Sequence, residues 1–188
     1  MTLGTEFHKR FLSYVTEERF GQAYRNNTVF TEAIVPEIAN IIREMGFTPQ
    51  FEYYRVDVIG WNSRWQEVEA LARAWGMNPH LWDLMIAVEH ENDPADWADE
   101  LIKLAHLRCP LKVIIGYNHC DCREEEPGKL RMAAEWLSRL NAFSGDDQEE
   151  FLIIMGNCAP KHDKRMQYDR FDYRGYLLDP TERKFRPI

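Results

Sequence analysis

The sequence has no apolar run long enough to span a bilayer, which excludes a membrane-crossing helix. Its first residues, MTLGTEFHKR, lack the apolar segment of a secretory signal, so a cytoplasmic location is expected. Basic charge is scarce: 23 Lys and Arg face 31 Asp and Glu, for a net charge of -8. That argues against a strong non-specific nucleic-acid binder, which normally shows a basic footprint. It leaves room for an enzyme whose acids cluster around a metal. The four cysteines lack framework spacing and read as free thiols rather than disulfides. There is no Walker loop, no dinucleotide fingerprint, no repeat and no low-complexity block.

What is present is enough for a core. The chain has 188 residues, 45% of them apolar, with no convincing domain boundary, so residues 1–188 are expected to form a single domain. Aromatics make up 13%, and six tryptophans suggest firm packing or stacking surfaces.

The stretch from Tyr54 to Tyr117 carries the chemistry. YRVDVIGW, LMIAVEHEND and LKVIIGYN each read as a short apolar strand. Asp57 lies inside the first, and Glu89 and Glu91 end the second. A charge in such a run is costly to bury unless something compensates it. Side chains alternate along a strand, so Glu89 and Glu91 share a face with Met85 and Ala87, while His90 points the other way. Asp57 shares its face with Tyr53, Arg55 and Ile59. If the two strands are neighbours, Asp57 approaches Glu89. Hard divalent cations take such oxygen ligands and keep several waters.

This pattern resembles the PD-(D/E)XK nuclease superfamily. An Asp sits within one strand, Glu-x-Glu on the next, and an amphipathic helix and an apolar strand follow. The likeness covers roughly the middle two thirds of the chain, and its motif is short. It implies an α/β fold of the restriction endonuclease-like type, with a mixed central β-sheet flanked by α-helices. It further implies hydrolysis of phosphodiester bonds with Mg²⁺ or Mn²⁺ as cofactor, nucleic acid (DNA first) as partner, and no membrane role. Asp57 and Glu89 would be the metal ligands, and Asp57, Glu89 and Glu91 the catalytic set. Glu91 stands where the family has lysine, as it does in some active restriction endonucleases. The family often adds an acid from the preceding helix, for which Glu32 and Glu37 are candidates. A basic residue recruited from elsewhere could be Lys112 or Lys103, and Arg55, Arg64 or Lys112 could meet phosphate. Each of these acids and lysines also has an ordinary surface reading.

In chain order, helices are expected over Thr5 to Phe20, with Thr5 as cap, and over Val29 to Met45, with a kink or restart at Pro36 and a stop at Gly46. Phe51 to Trp61 reads as the Asp57 strand, and Arg64 to Trp75 as a helix whose apolar side carries Trp65, Val68, Leu71, Ala72 and Trp75. That helix is an insertion relative to the family core, open to a role as lid, homodimer surface or packing. Asn92-Asp93-Pro94 starts a helix running to about Leu107, and strand Leu111 to Tyr117 follows as a parallel neighbour. NHCDCREEEPG reads as a loop, Lys129 to Phe143 as a helix and Phe151 to Met155 as a buried strand. Lys161 to Arg170 reads as a polar connector. Phe171 to Leu178 and Arg183 to Pro187 close the chain as a hairpin.

Two other readings compete. His119, Cys120 and Cys122 are too close together to supply three zinc ligands easily, even with Cys158 and His162 nearby, so zinc is not expected there. A catalytic thiol in that loop is opposed by its acidity. The alternative of another class is a catalytically inactive module that keeps the nuclease fold to bind or regulate. The missing motif lysine and the acidic balance both favour it.

Overall fold

The computed structural model describes residues 1–77, 81–119, 123–140, 149–157 and 171–188. Its N-terminal layer follows from apolar residues at helical spacing. Helix α1 (Leu3–Tyr14) buries Phe7 and Phe11, and its cap is Thr2, whose Oγ1 accepts from the Thr5 amide at 3.3 Å. The expected single helix to Phe20 is two: the backbone leaves the helical region at Val15 and restarts as α2 (Glu17–Phe20). Asn26 caps α3 (Asn27–Glu44), which buries Phe30, Ile34, Ile38, Ile41 and Ile42. Pro36 lies inside α3 without ending it. Both Pro36 and Glu32 are exposed, so the carbonyl that lacks an amide partner can take water. Gly46, at φ 89°, terminates the segment.

The expected strand Phe51 to Trp61 is a hairpin instead. Strand β1 (Thr48–Tyr53) pairs antiparallel with β2 (Val56–Ser63), and Tyr53 faces Val56. The turn is Tyr54-Arg55, with φ of 51° and 62°. Positive φ at both central residues is the signature of a primed turn, normally built from Asn and Gly. The following insertion is a short turn of 3-10 helix (Trp65–Glu67) and α4 (Glu69–Ala74). Its expected apolar side is not buried as a stripe: Leu71 and Trp75 are 66% and 74% exposed, and Ala72 alone is buried. A six-residue helix is under two turns and cannot present a continuous face.

Strand β3 (Trp82–His90) is antiparallel to β2, with Val58 opposite Val88 and Ile59 opposite Ala87. Helix α5 (Trp97–Ala105) then crosses over to β4 (Leu111–Tyr117), which is parallel to β3. Helix α6 (Glu126–Arg139) leads to β5 (Glu150–Gly156), parallel to β4. The closing hairpin is β6 (Arg174–Asp179) and β7 (Lys184–Pro187), antiparallel to each other and, through β6, to β5. Helix α5 starts at Trp97 rather than at Pro94, because Asp93 folds onto the Ala95 amide and closes a turn first. Helix α6 starts before the expected Lys129. Pro127 and Gly128 lie in its first turn, where an amide donor is not needed.

The described residues thus form one seven-stranded mixed sheet in the order β1-β2-β3-β4-β5-β6-β7, flanked by helices, an α/β arrangement. One face is covered by α1 and α3, with Val58, Ile86, Val88, Val113 and Ile115 pointing into it. The other is covered by α5 and α6, with Ile59, Ala87, Ile114 and Ile153. Strand β4 is buried along its whole length, as a central parallel strand should be. Gly60 lets α3 approach: a Cβ there would stand 2.7 Å from Ile42 Cγ2. Among the described residues no helix is long and apolar enough to cross a membrane.

Candidate active site

Alternation decides where the acids point. Val58 and Val88 enter the α3 side, so Asp57 and Glu89, their neighbours on paired strands, turn toward α5. The Asp57 amide faces Glu89 Oε2 at 3.4 Å, and Asp57 Oδ2 accepts the His90 amide at 2.8 Å. Glu89 is buried and Asp57 half-buried. The two acids expected to meet do meet.

Helix α5 brings a cation to them. Lys103 Nζ lies 2.6 Å from Glu89 Oε1, donates to the Arg55 carbonyl at 2.8 Å and pairs with Glu100 one turn back on α5. Of the two lysines weighed from the sequence, Lys103 is the one at the acids. Lys112 is 1% exposed and ion-paired with Glu149 at 2.6 Å. Glu100 was not singled out in the sequence; its only signal is the spacing of three from Lys103 on one helix face.

Burial dominates the electrostatics. Desolvation pushes the Glu89 carboxyl up to about 8, against the hydrogen bond from Lys103 and with the help of the Asp57 charge. Desolvation also raises Asp57, opposed by the His90 amide, the Lys103 charge and a hydrogen bond with Glu89. Desolvation pulls the Lys103 ammonium down, but its bonds to Glu100 and Glu89 outweigh this and leave it above the ordinary lysine value. Burial and mutual repulsion thus leave the two acids short of positive charge, and both are shifted toward their protonated forms.

The other candidates lie elsewhere. Glu91 continues the β3–β4 pairing through its amide to the Ile115 carbonyl at 3.0 Å, but its Oε1 accepts from the Asp93 amide at 2.6 Å. Desolvation raises it too, against that bond. Among the described residues no group of three or more His, Cys, Asp or Glu is arranged to hold a metal. Glu37 is paired with Arg19 at 2.6 Å, and Glu32 is exposed. Both sit on α3, whose buried residues pack against the opposite face of the sheet. Arg64 is held by Glu67 at 2.6 Å and by Asp83 at 3.4 Å. His90 has turned to the α3 side, where its Nε2 meets the Tyr117 hydroxyl at 2.9 Å; burial drops its pKa to about 3 and keeps it neutral. Cys120, Cys122, Cys158 and His162 lie outside the described residues, and His119 is exposed.

The donor set suits a hard cation in part. Asp57 and Glu89 offer two adjacent carboxylates whose repulsion and burial a divalent ion would relieve. Mg²⁺ is commonly held by one or two carboxylates, with water and phosphate oxygens completing its shell. No family model, curated protein or solved structure matches the chain.

Proposed function

We propose that the chain is a metal-dependent nuclease of the restriction endonuclease-like type, cutting phosphodiester bonds at Asp57 and Glu89. The observation that carries this reading is the Lys103 ammonium 2.6 Å from Glu89, beside Asp57. The order α3, β1, β2, α4, β3, α5, β4 supports it apart from the α4 insertion, with the Asp on one strand and the Glu on the next, a helix before and a helix and strand after. Lys103, rather than a residue of β3, would supply the basic group that Glu91 does not. Glu91 keeps the turn at Asp93.

In this reading Asp57 and Glu89 would hold Mg²⁺ or Mn²⁺, which when bound would supply an activated water and offset charge on the phosphate. Glu89 would hold the cation as the carboxylate, without its proton. The Lys103 ammonium is anchored by Glu100 and the Arg55 carbonyl as well as by Glu89. Lys103 would orient the attacking water or stabilise charge gathering on the phosphate oxygens. The His90 amide fixes the rotamer of Asp57 throughout.

The inactive-module reading has one observation of its own. Lys103 already donates to the Arg55 carbonyl and is ion-paired with Glu89 and Glu100, so a substrate must compete with them. A cleavage assay separates the two. Duplex DNA, single-stranded DNA and RNA are incubated with Mg²⁺, Mn²⁺ or EDTA, for the wild type and for Asp57→Ala, Glu89→Ala and Lys103→Met, each checked for folding. Metal-dependent cutting lost in all three variants supports the nuclease. A folded wild type that cuts nothing leaves the binding module.

A further inference from the structure

At the far end of the sheet a second constellation has the opposite charge. A cavity of about 560 Å³ opens between α6 and the β6–β7 hairpin. Its floor is apolar, with Leu130, Ala134 and Phe185, and its rim carries Arg131, Arg183 and Lys184. These cations stand on a chain whose net charge is -8.

Why they are free follows from their neighbours. Glu126, the one acid lining the cavity, is buried and fully engaged. It takes the Arg174 guanidinium on both oxygens, the Tyr176 hydroxyl at 2.6 Å and the Asn118 amide at 2.6 Å. The acids of the hairpin are engaged as well. Arg186 binds Asp179 at 3.0 Å and Glu182 at 2.5 Å. Asp172 pairs with Arg174 at 2.8 Å. Among the described residues the side chains of Arg131, Arg183 and Lys184 have no acidic partner. Arg183 is also held in the left-handed region, at φ 52°. The turn before it is fixed by Asp179 Oδ1, which accepts the amides of Thr181 and Glu182 at 3.0 Å each. A bulky residue at positive φ is uncommon and points to a constraint on where its side chain goes.

We propose that this cavity binds a small phosphorylated ligand with a flat apolar part, of the nucleoside polyphosphate class. Its volume lies in the range of small-molecule pockets, about 300–1,000 Å³. Two arginines and a lysine suit several phosphate oxygens at once, since guanidinium binds them in a fork. Arg131 reaches the cavity from the second turn of α6, and Arg183 and Lys184 reach it from the β6–β7 hairpin. Phe185 and Leu130 offer a surface for an apolar ring. A long polyanion fits less well, because beyond the rim it would meet an acidic molecule. The site is independent of the carboxylate pair. Strands β4 and β5 separate β3 from β6, roughly 15 Å at ~4.8 Å per strand.

Calorimetric titration of the full chain with ATP, tripolyphosphate, adenosine and a 20-nucleotide single strand tests this. The wild type is compared with Arg131→Ala, Lys184→Ala and Arg183→Gly. All three side chains are exposed, and glycine suits the positive φ, so folding is retained. ATP is expected to bind more tightly than tripolyphosphate or adenosine, and each variant to weaken it about tenfold, the order expected for one charged hydrogen bond. Asp57→Ala should leave ATP binding unchanged, so loss of the nuclease reading would not touch this one. Three results overturn the proposal. They are no binding of ATP at millimolar concentration, equal affinity in all variants, or binding of the single strand alone with sensitivity to the same substitutions.

Discussion

Lys103 Nζ rests 2.6 Å from Glu89 Oε1, yet the Glu89 carboxyl still titrates near 8, because burial outweighs the nearby ammonium. A buried carboxylate with one cation and another acid beside it remains short of positive charge.

This makes the titration of Glu89 adjustable in both directions. Lys103→Met removes the opposing hydrogen bond and should raise the Glu89 pKa beyond about 8. Asp57→Asn removes the repelling charge and should lower it. Carbon NMR of the labelled glutamate carboxyls, followed against pH, reads both shifts.

The same proton couples to folding. A carboxyl whose folded pKa is raised stabilises the fold fully below its unfolded value, and the contribution is lost as pH climbs through the folded value. For Glu89 that window runs from the ordinary 4.5 to about 8. Urea denaturation at pH 5, 7 and 8.5 should show the wild type losing stability across this range more steeply than Glu89→Gln. Parallel curves would mean that Glu89 does not carry the proton.

At the proposed metal site, Mg²⁺ or Mn²⁺ would have to displace that proton to bind. Cation affinity should therefore rise about tenfold per pH unit below pH 8 and level off above it. Titrations at pH 6, 7 and 8.5 check the slope. Asp57→Ala should abolish the effect.

Lys112 and Glu149 provide an asymmetric pair. The lysine is almost wholly buried, while the Glu149 side chain keeps 16% of its exposure. Glu149→Ala strands the ammonium and should cost about 3–5 kcal/mol, the usual loss for breaking a buried pair. Lys112→Met leaves an acid that can reach water and should cost less. Denaturant unfolding of the two single variants gives the comparison.

The β1–β2 turn invites improvement. Tyr54 and Arg55 both have positive φ, which side chains of their kind rarely adopt. Changing them together to Asn and Gly should stabilise the protein by about 1 kcal/mol, since those residues suit a primed turn. The Arg55 carbonyl that holds Lys103 is backbone and stays in place.

That turn also shows where sequence reasoning stops. Asp57 and Glu89 were legible as partners because β3 alternates regularly and its acids interrupt an apolar run. The turn two residues before Asp57 was not, because Tyr-Arg carries none of the usual turn chemistry and Phe51 to Trp61 reads as one strand. Pro127 and Gly128 misled in the opposite sense: they look like loop punctuation but sit where a helix tolerates them. Lys103 and Lys112 look alike in sequence. Only the packing of α5 over β3 and β4 separates the one at the acids from the one beneath Glu149. The rim of the cavity was invisible because Arg131 and Lys184 come from elements far apart in the chain.

The strictly sequential strand order has a consequence for synthesis. A nascent chain leaving the ribosome finds the partner of each new strand already in place. Asp57, Glu89 and Lys103 can be assembled once β4 has emerged, whereas Arg183 and Lys184 arrive with the last hairpin. In the interval β4, whose two faces are buried in the finished fold, is an open edge. A pause in translation before β5 would present that edge to other nascent chains on the same message, and co-aggregation is most expected there.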